Sequence, residues 1–230
     1  MRASRAVTAY LKALYSLEEE LLAGRGGRLG TAQRVATSAI AERLRISAPS
    51  ATNMLKKLAA RDLVTYERYQ GASLTEKGRE IALELVRHHR LLETYLVQAL
   101  GVPWDEAHAE AELLENDLSE ALEERISVAL GHPRVDPHGH PIPSKNGDLP
   151  RPSTQSLWDV RDGDAALVEQ VPDSHPEALR YLAELGILPG VKVTVVSRGP
   201  IGGPLFVRVN DNEIAPTALS KEIAEAIWVR

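Results

Sequence analysis

The chain has 230 residues, 43% apolar and 26% charged, with no cysteine. That length admits one large domain or two to three small ones, each able to bury a core. The lack of cysteine excludes a disulfide framework, a thiolate zinc site and an iron–sulfur cluster, so a metal would be held by imidazole, carboxylate, amide or backbone oxygen. The net charge of −5 is divided: residues 1–80 carry 14 Lys+Arg against 8 Asp+Glu, and residues 81–230 carry 13 against 24. The basic excess suits a polyanion and the acidic excess a cation. No secretory h-region and no long apolar run is present, which predicts a soluble cytoplasmic protein that does not enter a membrane.

Val7, Tyr10, Leu11, Leu14 and Leu17 recur at three- and four-residue spacing and predict an amphipathic helix over 5–22. Residues 23–36 are rich in Gly and Arg and read as a loop or the start of the next helix. A short helix is expected over 37–45, capped by Thr37 or Ser38. In ISAPSATNMLKKLAARDLV, Ser47 is the expected N-cap and Pro49 sits in the first turn, where its missing N–H is harmless. Met54, Leu55 and Leu58 are the expected buried stripe. Residues 63–68 read as a strand, Tyr69-Gln70-Gly71 as a turn and 72–75 as a second strand. Helix–turn–helix plus hairpin is a winged helix. Ser47, Ser50, Thr52 and Asn53 lie at the exposed start of its recognition helix, where hydroxyls and an amide reach phosphates or base edges. Pro49 offers an apolar face to a thymine methyl, and Lys56, Lys57 and Arg68 are candidate phosphate contacts.

Thr75 can cap a long helix to about residue 100, ended by Gly101-Val102-Pro103. Further helices are expected over 104–117 and 118–129. Residues 131–155 are proline-rich and read as a linker. Strands follow at 165–171, 191–198, 204–210 and 213–217, with a helix at 175–185 ending at Gly186 and another at 219–226. Short strands in so small a segment predict a compact barrel.

Two sets of donors stand at helical spacing. His89 and Glu93 are four apart, and His108, Glu112, Glu115 and Asn116 follow at steps of four, three and one. On a helix each set falls on one face. Two such faces turned together would surround one or two divalent cations with hard N and O donors, which suit Mn, Fe(II), Co, Ni or Zn better than Cu(I).

The ordered series AYLKALYSLEEE (9–20), SAIAERLRISAPSATNMLKKLAARDLVTYE (38–67), LTEKGRE (74–80), HHRLLETYL (88–96), DPHGHPIP (136–143) and EALRYLAELGILPGVKVTVVSRGP (177–200) resembles the diphtheria-toxin-repressor-like family of metal-dependent transcription regulators. The resemblance spans nearly the whole chain. It implies a mainly α protein with a small β domain: a winged-helix DNA-binding domain (1–76), a helical dimerisation and metal-binding domain (77–130), the linker (131–155) and an SH3-like domain (156–230). It implies a homodimer that reads a pseudo-palindromic operator in double-stranded DNA when metal-loaded, with Ser47, Pro49, Ser50 and Asn53 facing the DNA.

The resemblance also implies two metal sites. The first maps to His89, Glu93 and His108, completed by one or two donors from the SH3-like domain; Glu169, Gln170, Asp173 and His175 are the choices, with Gln170 and Asp173 carried forward. The second maps to Glu112, Glu115 and Asn116. Glu112 matches the manganese-sensing branch, where the iron-sensing branch has Cys. Asn116 stands where both branches have His, and Ala9 where both draw a ligand from the first helix, a place that Thr8, water or a carbonyl would fill. The expected ion is therefore Mn(II), with Fe(II) as the alternative. His88 is taken as a bystander, and His132, His138 and His140 as part of a structural connection. The competing readings are a metal-independent winged-helix regulator with another effector and a metallohydrolase; no HExxH or Gly-x-Ser-x-Gly supports an enzyme.

Overall fold

Serine and threonine hydroxyls mark where several helices begin. In the computed structural model, which describes residues 4–23, 34–150, 155–173, 175–210 and 215–230, Ser47 accepts from Ser50 N (3.3 Å), Thr75 from Gly78 N (3.1 Å) and Ser119 from Leu122 N (3.3 Å). Each satisfies an amide that the first helical turn leaves open. The chain falls into two units, residues 1–88 with 143–148, and residues 89–142 with 149–230.

In the first unit, helix α1 (Arg5–Ala23) buries Val7, Tyr10, Leu11 and Leu14, as its period predicts, with Leu17 half-buried. Helices α2 (Thr37–Arg43) and α3 (Ala48–Ala59) form the helix–turn–helix. Two expectations need correction. The N-cap of α2 is Ala36, which offers no side-chain cap, so neither Thr37 nor Ser38 fills that role. The buried stripe of α3 is Ala51, Leu55 and Leu58, with Met54, at the edge of the same face, only half-buried. Strands β1 (Val64–Glu67) and β2 (Gly71–Leu74) pair antiparallel as the wing, and Val35 adds a bridge to Ala72. Glu18 ties α1 to the wing: one carboxylate oxygen accepts from Leu74 N (2.8 Å) and the other binds Arg79 of α4 (Glu76–Leu100). Gly78 presses this helix against the end of the turn before β1; a Cβ there would stand 1.9 Å from the Leu63 carbonyl oxygen.

In the second unit, the C-terminal part of α4 packs Leu91, Leu92 and Leu96 against α5 (Ala107–Leu114), α6 (Glu120–Ala129) and Ile142. The breaker at Gly101 has φ +70. A six-stranded antiparallel sheet follows, in the order β3-β8-β4-β5-β6-β7, with β3 (Gln155–Ser156), β4 (Ala165–Gln170), β5 (Lys192–Arg198), β6 (Leu205–Val209), β7 (Thr217–Leu219) and β8 (Trp228–Val229). Irregular register after Val168 and after Val195 adds local twist. Helix α7 (Pro176–Glu184) and α8 (Lys221–Ala226) bury Leu179, Leu182 and Ala224 in the core of this sheet. The strand expected at 213–217 starts only at Thr217; residues 211–214, like most of the Gly- and Arg-rich segment 23–36, lie outside the described residues. The segment read as a linker has local order: Val135 pairs with Pro141, closing a turn around Asp136–His140.

Candidate metal centre and DNA-facing surface

Helix α4 brings His89 and Glu93 to one face, and α5 brings His108 to meet them. His89 Nε2 lies 2.9 Å from Glu93 Oε1, His108 Nδ1 lies 3.0 Å from the same oxygen, and the two ring nitrogens are 3.0 Å apart. The imidazole faces meet edge-on, centroids 4.6 Å apart. Donors bound at right angles around a cation at about 2.1 Å stand about 3 Å from each other. The other nitrogen of His89, Nδ1, is 2.6 Å from Glu115 Oε2. As the donor in that contact, Nδ1 leaves Nε2 as a lone pair facing a carboxylate oxygen. Lone pair against lone pair at this distance requires a proton or a cation between them.

The segment read as a structural connection supplies a second group. Asp136 Oδ1 accepts from the backbone N–H of His138 (2.8 Å) and of His140 (2.9 Å), which fixes the turn. Gly139 has φ +91, and a Cβ on it would stand 1.8 Å from the Glu169 carbonyl oxygen, so only glycine lets the turn lie against β4. Val171 N then donates to the His138 carbonyl (3.0 Å). His138 is fully buried, stacked on Trp104 at 5.4 Å between centroids, and its Nε2 is 2.9 Å from the Trp104 carbonyl oxygen. A carbonyl only accepts, so Nε2 carries the proton and a neutral His138 presents Nδ1 as a lone pair. Among the described residues that Nδ1 has no hydrogen-bond partner, and neither does Glu93 Oε2, 3.9 Å away, nor Asp136 Oδ2, which has the Arg90 guanidinium at 3.7 Å. Buried polar atoms are rarely left so. Asp173, in the loop after β4, groups with Glu93 and His138, while Asp136, His138 and His140 form a further group. The residues fit a cation: orphaned acceptors, imidazole tautomers fixed by their outer partners, and hard N and O donors throughout.

The charges agree. Burial works against ionising Glu93, but His89 above all, with hydrogen bonds from His108 and His89, holds its carboxyl well below the usual range. Burial likewise opposes the charge on Asp173, and His140 chiefly outweighs it, so its pKa is also lowered. Burial lowers the pKa of His140, yet Asp173 and then Asp136 raise it beyond that, for a net increase.

Of the residues expected at the first site, His89, Glu93 and His108 come together, and of the four choices in the SH3-like domain Asp173 is the one that groups with Glu93, through His138 rather than with His89 and His108. Gln170 is buried at the end of β4, Glu169 pairs with Arg230 (3.0 Å), and His175 is exposed at the start of α7. Of the residues expected at the second site, Glu115 is the buried partner of His89. Glu112 is largely exposed, 3.7 Å from His108 Nε2, and Asn116 is half-buried. Thr8 Oγ1 donates to the Arg5 carbonyl (3.0 Å). Among the described residues, no three-membered His and carboxylate group contains Glu112 or Glu115. The sequence weighed His138 and His140, with His132, as a second cluster but assigned them to a structural connection, and it missed Asp136; the D-x-H-x-H spacing around a glycine was the signal. His132 stands apart, with Nδ1 3.2 Å from Ser127 Oγ, and His88 is buried.

On the first unit, Ser47, Pro49, Ser50, Asn53, Lys56, Lys57 and Arg68 are exposed and Thr52 half-exposed. A groove of about 610 Å³ runs between α3 and the wing, lined among others by Thr37, Ser38, Thr52, Lys56 and Arg68.

Family models match in the same order along the chain: the iron dependent repressor N-terminal DNA binding domain over residues 4–72, the iron dependent repressor metal binding and dimerisation domain over 75–144, and the FeoA domain over 155–230. The iron-dependent repressor IdeR of Mycobacterium tuberculosis is 31% identical over 96% of this chain and 94% of its own length. The chain belongs to the iron-dependent repressor family. Among solved structures of similar proteins, a manganese-dependent transcriptional repressor in complex with manganese has 39% identity and a TM-score of 0.85, covering 97% of this chain and 98% of that one. ScaR with bound Zn²⁺ has 29% identity and a TM-score of 0.79 over 97% and 98%. The repressor fold, a helical DNA-binding and dimerisation part followed by a small β domain, is thus shared along the whole chain, and the chain is a metal-dependent transcription regulator of this family. No described helix is long and apolar enough to cross a membrane.

Proposed function

We propose that this chain is a cytoplasmic, non-enzymatic sensor of Mn(II) that binds a pseudo-palindromic operator as a homodimer when metal-loaded. The observation that carries the reading is Glu93: one of its buried oxygens faces His89 and His108, and the other faces Nδ1 of His138, both atoms without a hydrogen-bond partner among the described residues. The residues that would hold the ion are His89, Glu93 and His108 on one side and Glu93, His138 and Asp173 on the other, with Asp136 and His140 adjacent. A divalent cation supplies the positive charge that lets these carboxylates crowd together. The chain's own part is to fix the donors: Glu115 orients His89, the Trp104 carbonyl orients His138, and the Asp136 turn sets His138 beside Glu93.

Glu112 in place of a thiolate leans the reading toward Mn(II), and Fe(II) is the other ion that the N and O donors suit. A manganese-bound relative of the same architecture supports the choice. The DNA-facing residues are Ser47, Pro49, Ser50, Thr52 and Asn53 for bases and the nearby backbone, with Lys56, Lys57 and Arg68 for phosphates. Glu112, Glu115 and Asn116 are carried as a second, weaker position, completed by donors outside that trio. The domain limits follow the sequence: 1–76, 77–130, 131–155 and 156–230.

The test is selection from a pool of random duplexes at fixed salt with chelator, Mn²⁺, Fe²⁺ or Zn²⁺. Enrichment of a pseudo-palindrome with Mn²⁺ alone is expected. Equal enrichment in chelator would sink the metal-sensing reading and leave a winged-helix regulator with another effector.

A further inference from the structure

The wing carries a feature that its own fold does not require. The turn Glu67–Gln70 closes with Gln70 N donating to the Glu67 carbonyl (3.1 Å). Its third residue, Tyr69, has φ +68, while Arg68 before it is not in the left-handed region. That pattern is a type II turn, whose third position is normally Gly or Asn. A bulky side chain there is strained and needs a reason. Packing gives none, because Tyr69 is 89% exposed. Its ring meets the Arg68 guanidinium, whose carbon lies 4.8 Å from the ring centroid.

The tip is also held stiffly. Arg34, just before α2, donates to Gln70 Oε1 (2.9 Å) and pairs with Glu67, so both ends of the turn are pinned by one side chain. Val35 and Ala72 exchange backbone hydrogen bonds behind it (2.7 and 2.9 Å). Gly71 allows that approach, since a Cβ would stand 2.2 Å from the Val35 carbonyl oxygen. A strained, exposed aromatic on a clamped turn is presented to something outside the chain.

The groove beside the tip says what. It lies between Thr52 and Lys56 of the recognition helix and Tyr66, Arg68 and Tyr69 of the wing. With the start of α3 in a major groove, a sugar–phosphate strand lying between the recognition helix and the wing would bring the tip over the neighbouring minor groove. Resting on the DNA-binding reading above, we propose that Arg68 and Tyr69 form a minor-groove probe that reads groove width beside each half-site. Arg68, given above as a phosphate contact, reaches past the phosphates into the enhanced negative potential of a narrow A·T groove. The Tyr69 ring stacks behind the guanidinium and packs against deoxyribose, holding Arg68 in line. The pair thus adds sequence preference at positions that the recognition helix never touches.

The test uses full-length protein with Mn²⁺ and duplexes retained from the random pool, rebuilt with A·T, G·C or inosine·C flanks. Inosine·C keeps the major-groove edge of G·C but removes the minor-groove amino group. Wild type is expected to bind A·T and inosine·C flanks about tenfold tighter than G·C flanks. Arg68→Ala and Tyr69→Gly are expected to flatten that preference. Because glycine suits φ +68, Tyr69→Gly should keep or raise the thermal midpoint, which separates a DNA role from a structural one. Wild-type binding that is indifferent to the flank, or a Tyr69→Gly variant that keeps the full preference, overturns the proposal and leaves the DNA-binding reading intact. A wild type that retains no duplex with metal present overturns both.

Discussion

Glu93 concentrates the chemistry of the centre in one side chain. Removing its charge while keeping its shape, as Glu93→Gln does, should weaken Mn²⁺ binding by more than about 100-fold, since orienting partners alone are worth about 10–100-fold. Asp136 acts through its turn, so Asp136→Ala should cost about 10–100-fold, the range for outer-shell partners. Titration followed by the electron paramagnetic resonance signal of free Mn²⁺ measures both. Equal affinities for wild type and Glu93→Gln would remove this residue from the site. The pH dependence has a definite sign. His140 has a raised pKa in the metal-free fold, so it holds a proton more strongly there than in the unfolded chain. Its contribution to metal-free stability is full below the ordinary imidazole range and is lost as pH rises through the raised value. Metal loading must expel protons from ligating imidazoles, so Mn²⁺ affinity falls as pH drops through that range and loading acidifies a weakly buffered solution. A titration with no proton release would contradict it. At this scale the sequence was legible where spacing carries geometry: His89 and Glu93 share a helix face whatever surrounds them. Asp136, His138 and His140 were not, because a turn held by Asp136 Oδ1 has no period to read and proline disguised it as a linker. Asp173 could not be told from Glu169, since a loop gives no rule for which side chain turns inward.

Among the elements, close backbone approaches decide more than composition does. Gly139 lies against β4, and Gly131, also at positive φ, has nothing within 4 Å of a Cβ. Gly139→Ala should therefore push the Asp136 turn off β4, lowering both the thermal midpoint and Mn²⁺ affinity. Gly131→Ala should cost only about 1–2 kcal/mol of left-handed strain and leave metal binding alone. If the two variants behave alike, the turn is not seated as described. Glu18 is a second hinge of element packing, tying α1, β2 and α4 together. Glu18→Ala should destabilise the first unit by about 2 kcal/mol, the scale of hydrogen bonds to a charged group plus a stranded amide, read from urea unfolding. The helices, the wing and the repressor architecture were legible because caps, apolar period and Gly-Pro breaks agree with one another. Ala36, which begins α2 without a side-chain cap, and Ala51, which is buried in the stripe of α3, are the exceptions.

For the whole molecule, the two units should respond differently to metal. Every residue of the three candidate groups lies in the unit formed by residues 89–142 and 149–230. Mn²⁺ at about 100 times its Kd should stabilise that unit by about 2.7 kcal/mol. Differential scanning calorimetry with and without chelator should show the shift in the transition of that unit. The excess of 14 Lys+Arg over 8 Asp+Glu in residues 1–80 belongs instead to the DNA-facing unit, so operator affinity should fall steeply as salt rises.

The thiol-free donor set gives this sensor a resistance of its own. Peroxide inactivates thiolate sensors by converting cysteine to sulfenic acid and beyond, and methionine to its sulfoxide. Here the candidate ligating atoms are imidazole nitrogen and carboxylate oxygen, and the chain has no cysteine at all. The cysteine oxidation ladder therefore has no rung at these candidate ligands, and peroxide has no thiol through which to silence the sensor.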